Sequence, residues 1–132
     1  MDSNLHAFLY HSRMASDADL GGIADIVKTA RSFNKEVGIT GMLVFDGQRF
    51  CQYIEGPQSA MQALIGRIGQ DPRHTHFTPM HDAPLAGPRW FGKWSMAYVQ
   101  VDDGEPLDEL SRLEGLHALR RLQVLIPELD IA

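Results

Sequence analysis

The sequence predicts an α+β fold: a ferredoxin-like sheet of order βαββαββ, with two helices on one face and a C-terminal helical tail. Two segments with apolar residues at three- and four-residue spacing predict the helices. Short apolar runs bounded by turn residues predict the strands, and a regular series of leucines predicts the tail. At 132 residues, the chain is long enough to bury one hydrophobic core.

The first half of the chain contains a predicted strand, a helix and a hairpin. The apolar run Leu5 to Tyr10 has the length of a strand. The helix that follows ends near Asn34, and its apolar residues share one face: Ile23, Ile26, Val27, Ala30 and Phe33. The next two strands, Ile39 to Phe45 and Phe50 to Ile54, flank Asp46-Gly47. We expect a tight hairpin there, because this dipeptide readily adopts the positive φ angles of such turns.

The second half contains a helix, two strands and the tail. Asp71-Pro72 stops the helix, and its apolar face consists of Met61, Leu64, Ile65 and Ile68. Phe77 to Met80 and Trp90 to Val101 are predicted strands. One or two amphipathic helices are predicted from the leucines of the tail: Leu107, Leu110, Leu113, Leu116, Leu119 and Leu122. These leucines form an apolar surface that must pack on the free sheet face or on a second subunit. We assign residues 1–103 to one domain and residues 104–132 to a C-terminal helical extension.

The composition opposes several functional classes. A net charge of −5 and a pI near 5.6 disfavour nucleic-acid binding, which requires a basic surface. No apolar run is long enough to span a bilayer, and the N-terminus lacks the basic region of a signal peptide. We therefore expect a cytoplasmic protein without membrane contact. The Gly-x-Gly-x-x-Gly dinucleotide loop and the P-loop are both absent from the sequence.

Cysteine and histidine are not spaced as in a metal site. The lone Cys51 cannot form an internal disulfide, and its apolar neighbours predict a buried, unreactive thiol. The histidines between residues 74 and 81 have no cysteine or carboxylate at helical ligand spacing, so we expect no metal. His11 and Ser12 are neighbours on a strand and point to opposite faces, which opposes a nucleophile and base pair.

Three polar residues occupy otherwise apolar elements. Tyr10 ends the first strand, Asn34 ends the first helix, and Gln52 interrupts the apolar run FCQYI. Strand alternation places Gln52 on the same face as Phe50 and Ile54, so it faces the helices if they do. A buried amide without a hydrogen bond costs about 1–3 kcal/mol, so Gln52 requires a polar partner. Each residue alone also fits a structural role, but together they surround one slot between the helices.

Several motifs follow one another between about Leu5 and about Tyr98. The first are Tyr10-His11-Ser12 at the end of the first strand and Asp25-Ile26-Val27 in the first helix. The later ones are ITGMLVFDGQRFCQYIEGP, DPRHTHF and WFGKWSMAY. In this order they resemble the BLUF family, sensors of blue light that use FAD. They are similar to that family's Tyr-x-Ser, first helix, central hairpin, segment after the second helix, and last strand with Trp-x-Met.

The resemblance implies a set of contacts to the flavin ring. By this resemblance, Tyr10 exchanges an electron and a proton with the excited flavin, and Gln52 bridges its hydroxyl to the N5 and O4 edge. Asn34 holds the carbonyl and N3 edge, and Ile26 packs against the ring. Glutamine suits a switch, because rotation or tautomerisation of its amide inverts donor and acceptor.

The resemblance also implies contacts beyond the ring's polar edge. Arg73 and His74 lie near the exposed end of the ring and the ribityl-phosphate chain. The packing of Trp94 and Met96 is linked to the signalling state. Phe33 stands where some family members have a histidine beside the ring, so that contact is expected to be apolar here.

The resemblance thus predicts a non-enzymatic photoreceptor that binds FAD non-covalently in residues 1–103 and has no catalytic residue. We expect its output to pass to an unidentified downstream signalling protein, and the leucine-rich tail indicates a homo-oligomer. Two alternatives remain open. One is a small ferredoxin-like hydrolase that uses Arg73 and Asn34 on an anionic substrate, and the other is a ligand-binding or oligomerisation domain without a chromophore.

Overall fold

The computed structural model describes residues 5–15, 20–72, 74–85, 87–89, 96–100, 107, 110, 112–113 and 115–125. Within these residues no helix combines the length and the apolar character that crossing a membrane requires. The elements follow the predicted order. Their bounds are Leu5–Met14 (β1), Leu20–Val37 (α1), Thr40–Phe45 (β2), Arg49–Pro57 (β3), Gln58–Gly69 (α2), His74–Pro84 (β4), Ala97–Gln100 (β5) and Gly115–Leu125 (α3).

The strands form one five-stranded sheet of order β4-β1-β3-β2-β5. β1 pairs antiparallel with both β3 and β4, and β2 pairs antiparallel with β3. β5 pairs with β2 in parallel, from Met42 opposite Ala97 to Phe45 opposite Gln100. Both α1 and α2 pack on one face of this sheet. The predicted α+β fold is therefore confirmed.

Side chains alternate along the strands and give the sheet two buried faces. On the side that we term the cavity face, Tyr10, Phe50 and Ile54 pack together with residues of α1 and α2. On the opposite side, the tail face, Cys51 and Tyr53 belong to a separate apolar cluster. The alternation predicted along β3 is thus confirmed.

The helical tail packs on the tail face. Three of its leucines are buried in the cluster of that face: Leu107, Leu110 and Leu122. Leu113 is partly buried against the same cluster, whereas the side chains of Leu116 and Leu119 lie outside the described residues. Of the two surfaces predicted for the tail, the free sheet face is therefore covered. The boundary between residues 103 and 104 also lies outside the described residues and stays a prediction.

The turn between β2 and β3 is the hairpin predicted at Asp46-Gly47. Oδ1 of Asp46 accepts hydrogen bonds from the backbone N–H groups of Gln48 at 2.9 Å and Arg49 at 2.7 Å. Gly47 has a φ of +99°, a conformation that costs glycine little and other residues more. This local chemistry fixes the register that brings Gln52 of β3 opposite Leu43 of β2.

Strands β1 and β4 are longer than predicted. β1 continues past Tyr10 to Met14, because β3 and β4 both supply hydrogen-bonding partners for its polar end. β4 spans His74–Pro84 instead of Phe77 to Met80, because β1 supplies hydrogen-bonding partners along this length. Residues 90–95 of the last predicted strand lie outside the described residues, and its described part is Ala97–Gln100.

Of the two helices on the cavity face, α1 ends later than predicted and α2 ends where the sequence predicts. α1 continues past Asn34 to Val37, and Gly38, with a φ of +79°, follows its end. The carbonyl of Asn34 accepts the N–H of Ile39 at 2.9 Å, so this residue lies inside the last turn. The prediction that Asn34 ends the helix was wrong. α2 ends at Gly69, just before Asp71-Pro72, so the predicted stop of this helix is confirmed.

Candidate flavin site

A cavity of about 460 Å³ lies between α1, α2 and the cavity face of the sheet. It is lined by five of the six residues predicted to bind a cofactor: Tyr10, Ile26, Asn34, Gln52 and His74. The sixth, Arg73, lies outside the described residues, as does Trp94. The fold thus gathers residues from β1, α1, β3 and β4 around one space of the size of a ligand pocket.

Tyr10 and Gln52 form a hydrogen-bonded pair on the floor of the cavity. The two residues stand opposite each other in the β1–β3 register, and the Tyr10 hydroxyl donates to Oε1 of Gln52 at 2.5 Å. Burial raises the pKa of the Tyr10 phenol well above its ordinary value, which keeps this donor protonated. The pairing supplies the polar partner that the sequence predicts for Gln52, whose exposed fraction is 7%.

The other end of the Gln52 amide points to Met96. Nε2 of Gln52 donates to Sδ of Met96 at 3.7 Å, and this methionine precedes β5 and is buried. Its carbonyl in turn accepts a hydrogen bond from Nε of Arg31 on α1 at 2.9 Å. Met96 does not line the cavity itself. Met96 therefore contacts Gln52, which lines the cavity, but is not itself exposed to the cavity.

α1 supplies one wall of the cavity. Ile26, Ala30, Phe33 and Asn34 line it, because helical spacing brings these positions to one side of the helix. Asn34 is completely buried, and an amide at such a depth must serve as a hydrogen-bonding group rather than as a solvated cap. The wall is therefore mainly apolar, with one amide near its end.

The exposed end of the cavity carries charged residues that the sequence analysis did not single out. The guanidinium of Arg67 lies over the Phe33 ring at 4.4 Å from its centroid, and Asp71 lines the same end. Arg67 shares a helical face with Leu64 and Ile68, which also line the cavity. That spacing was a usable signal. Phe33 was predicted to make an apolar contact, and the structure adds the cation of Arg67 beside the Phe33 ring.

Two possible nucleophiles, Cys51 and Ser12, lie outside the cavity, which bears on the alternative of a hydrolase. Cys51 lies on the tail face, and burial raises the pKa of its thiol to about 12. Ser12 is completely buried and does not line the cavity, so it is badly placed to attack a bound substrate. Among the described residues, no three histidine, cysteine, aspartate or glutamate side chains converge on a possible metal position.

An α+β sheet with a Tyr–Gln pair under a cavity between two helices is the arrangement that the family resemblance implies for a flavin-based light-sensor domain. Residues 5–97 match the sequence model of BLUF, described as sensors of blue-light using FAD. The chain belongs to the BLUF family. Both the predicted family and the predicted function as a blue-light photoreceptor are confirmed.

One curated relative contains a region similar to this chain within a much longer protein. The chain is 34% identical over 95 residues to photoactivated adenylate cyclase subunit beta of Euglena longa. That match covers 72% of this chain and 11% of the cyclase. The chain therefore corresponds to about a tenth of that relative's length, in which the sensor domain accompanies other segments.

Two solved structures are similar in both fold and sequence. The dark-state structure of BlrB, a BLUF protein, has a TM-score of 0.80 and 32% identity, and covers 96% of this chain and 97% of that one. Klebsiella pneumoniae BlrP1, solved with FMN and cyclic diGMP, has a TM-score of 0.68 and 29% identity. That comparison covers 83% of this chain and 30% of BlrP1.

Proposed function

We propose that this chain binds FAD non-covalently in the cavity and signals through light-driven rearrangement of the Tyr10–Gln52 hydrogen bond. The observation that carries the proposal is the amide of Gln52, held at one end by the Tyr10 hydroxyl and at the other by Met96. Both contacts lie in or beside the cavity, so a change at a bound ring reaches them directly.

The composition of the cavity supports an isoalloxazine ring. Such a ring has flat apolar faces and hydrogen-bonding groups along one edge. Ile26 and Leu64 supply apolar contacts from the two helices, whereas Tyr10, Asn34 and Gln52 supply hydrogen-bonding groups. A ring inserted with its polar edge towards this trio satisfies both kinds of surface.

The remaining predicted contacts concern the exposed end. His74 lines the cavity, and its sequence neighbour Arg73 matches the family segment near the ribityl-phosphate chain. Arg67 adds a guanidinium at the same end, where it suits an anionic phosphate group. Trp94 keeps its proposed role in the signalling state together with Met96.

The switch follows from the hydrogen-bonding capacity of the Gln52 amide. When bound, the flavin supplies absorption of blue light and transient acceptance of an electron. Tyr10, whose hydroxyl donates to Gln52, is the group placed to release an electron and a proton. Rotation or tautomerisation of the amide then makes Gln52 the donor towards the Tyr10 oxygen. In the rotated amide, Oε1 turns towards the Met96 sulfur, which carries no hydrogen to donate.

The energetic scale of this exchange limits what it can drive. One or two hydrogen bonds of about 0.5–1.5 kcal/mol each give a bias of about 1–3 kcal/mol. This bias corresponds to a population shift of roughly 5- to 150-fold. The switch is therefore suited to changing a docking equilibrium and not to unfolding the domain.

We assign the output to an effector, carried by a separate signalling protein or by a further segment of the same polypeptide. The cyclase of Euglena longa supports this assignment, because the matched region is a small part of that protein. We also propose a cytoplasmic location and a homo-oligomer; among the described residues, the large apolar side chain that the tail leaves exposed is Val124. Catalysis by this domain itself forms no part of the proposal.

The absorption spectrum of the purified protein is the decisive measurement. We expect about one flavin per chain, a reversible red shift under blue light, and release of FAD on acid precipitation. Colourless protein would contradict the proposal, and release of FMN would correct the cofactor. The Cys51→Ala variant serves as a control and should keep the complete photoresponse, since its thiol lies on the tail face. Flavin that remains attached to the denatured polypeptide would exclude non-covalent binding.

A further inference from the structure

Ser12 takes part in a hydrogen-bonded chain that the proposed switch does not use. It follows Tyr10 by two residues on β1, is completely buried and does not line the cavity. Its hydroxyl lies 2.7 Å from Nδ1 of His74, the first residue of β4. Nε2 of the same ring lies 2.6 Å from the carbonyl oxygen of Ile68, in the last turn of α2. The chain thus ties β1, β4 and α2 together at one end of the cavity.

The partners determine the tautomer of His74. A carbonyl oxygen can only accept, so the hydrogen of a neutral ring must be on Nε2. Nδ1 then carries a lone pair, and the Ser12 hydroxyl donates to it. Both ring nitrogens are therefore used within the protein.

These two hydrogen bonds determine which part of the His74 imidazole is available to a ligand in the cavity. The ring lines the cavity, with its centroid 6.0 Å from that of Tyr10 and an interplanar angle of 70°. Phe77 and Phe50 lie on other sides of it, with centroids at 5.8 and 6.5 Å. Because no N–H remains for a ligand, the imidazole offers the cavity its carbon edge and its ring face only.

We propose that Ser12 is a positioning residue, which holds His74 in the Nε2–H tautomer as an aromatic wall beside Tyr10. The identity of the ligand rests on the proposed function, but the chain of hydrogen bonds does not. Without the hydroxyl, Nδ1 loses its donor and the ring is free to turn an N–H towards the cavity. Such a turn changes the surroundings of Tyr10 and adds a donor next to the bound flavin.

The tautomer can be observed directly in the unmodified, flavin-loaded protein. NMR of protein labelled with ¹⁵N-histidine, in alkaline buffer where imidazole is neutral, should show His74 protonated at Nε2 and bare at Nδ1. A His74→Gln variant assigns the signal. A ring protonated at Nδ1 would overturn the proposal, whether or not the protein responds to light. Absence of flavin or of a red shift would instead count against the proposed function.

Substitution of the serine tests its effect on the switch. In Ser12→Ala we expect the ¹⁵N signature of His74 to change and the rate of dark recovery to change roughly fivefold, the factor that matches one ordinary hydrogen bond. Ser12→Thr, which retains a hydroxyl, should restore the signature. Ser32→Ala, the same substitution on the exposed side of α1, is the matched control. If Ser12→Ala matched this control in both measurements, Ser12 would have no positioning role. If the Ser12→Ala protein did not fold, the NMR of the unmodified protein would decide.

Discussion

Two buried tyrosines on neighbouring strands make the same kind of hydrogen bond on opposite faces of the sheet. On the cavity face, Tyr10 donates to Oε1 of Gln52 at 2.5 Å. On the tail face, Tyr53 donates to Oε2 of Glu55 at 3.1 Å. Burial is the main cause that raises the pKa of each phenol well above its ordinary value, and Glu55 raises that of Tyr53 further.

The partners make one pair able to switch and the other fixed. An amide carries both a donor and an acceptor, so Gln52 can exchange its role towards Tyr10. A carboxylate carries no N–H donor, and Glu55 accepts from the Thr40 hydroxyl at 3.2 Å as well. For Glu55 to become the donor towards Tyr53, its carboxylate must first gain a proton. The amide of Gln52 already carries the hydrogens that it needs to donate to Tyr10. The comparison teaches that a buried tyrosine becomes a switch through its partner and through an adjacent ligand space.

The largest expected effect comes from removing one member of the cavity-face pair. Gln52→Ala and Tyr10→Phe should each keep bound flavin but lose the light-induced red shift, because each deletes one side of the same hydrogen bond. The double variant should resemble either single one, since the effects of residues in one network do not add. Absorption difference spectra before and after blue light measure the shift.

The matched control is Tyr53→Phe on the tail face. It removes the same hydroxyl from an equally buried pair, so the red shift should persist while stability decreases. A normal shift in Gln52→Ala or Tyr10→Phe would refute the roles given to these residues. Loss of the shift in Tyr53→Phe would break the distinction between the two faces.

A pair of identical truncations sharpens the comparison between the faces. Leu122→Ala on the tail face and Leu64→Ala on the cavity face should each lower the free energy of unfolding by about 2–5 kcal/mol, measured with urea at saturating flavin. Only Leu64 lines the cavity, so Leu64→Ala alone should weaken flavin binding, by about tenfold. Equal affinities of the two variants for flavin would place the ligand elsewhere.

A smaller effect is expected at Met96, where the two faces communicate in the proposed signal. Blue light should alter hydrogen exchange in β5 and in the segment from Leu107 to Leu125. Met96→Leu keeps the side-chain volume but removes the sulfur acceptor of Gln52. It should retain the red shift and change dark recovery by roughly two- to fivefold, with a reduced exchange response.

Met80→Leu is the control for this substitution, because Met80 is a buried methionine of the tail-face cluster. It should leave both the recovery rate and the exchange response unaltered. If the light-dependent exchange in the tail survived Met96→Leu unchanged, the route from Gln52 through Met96 to the tail would be wrong. That outcome would leave the Tyr10–Gln52 switch intact and require another path.

The sequence was sufficient for features that depend on local chemistry and alternation. The hairpin at Asp46-Gly47 follows from two adjacent residues, and the facing of Gln52 follows from the two-residue period of a strand. The gathering of Tyr10, Asn34 and Gln52 also follows, once two helices are placed on one sheet face. Their functional roles came from the family resemblance and stay predictions until the variants are measured.

Contacts between distant segments were not predictable in the same way. Ser12 and His74 are 62 residues apart, and their hydrogen bond depends on how far β1 and β4 extend together. Both strands were predicted too short, because the backbone pairing between them carries polar residues that an apolar pattern does not mark. Arg67 was a different case. Its helical spacing was visible, but a cation in the last turn of a helix is usually solvent-exposed, so the pattern alone does not indicate a cavity residue.

The parallel pairing of β5 with β2 has a consequence for how the protein folds. The β2–β3 hairpin joins neighbouring segments and loses little chain entropy when it closes, whereas Ala97 must find Met42 across much of the chain. Long-range parallel pairing is intrinsically slow, so β5 is expected to dock late in folding. Met96 directly precedes this strand. During synthesis, Gln52 therefore acquires its sulfur partner among the last contacts to form, and a flavin that binds earlier would meet a pocket whose switch is still incomplete.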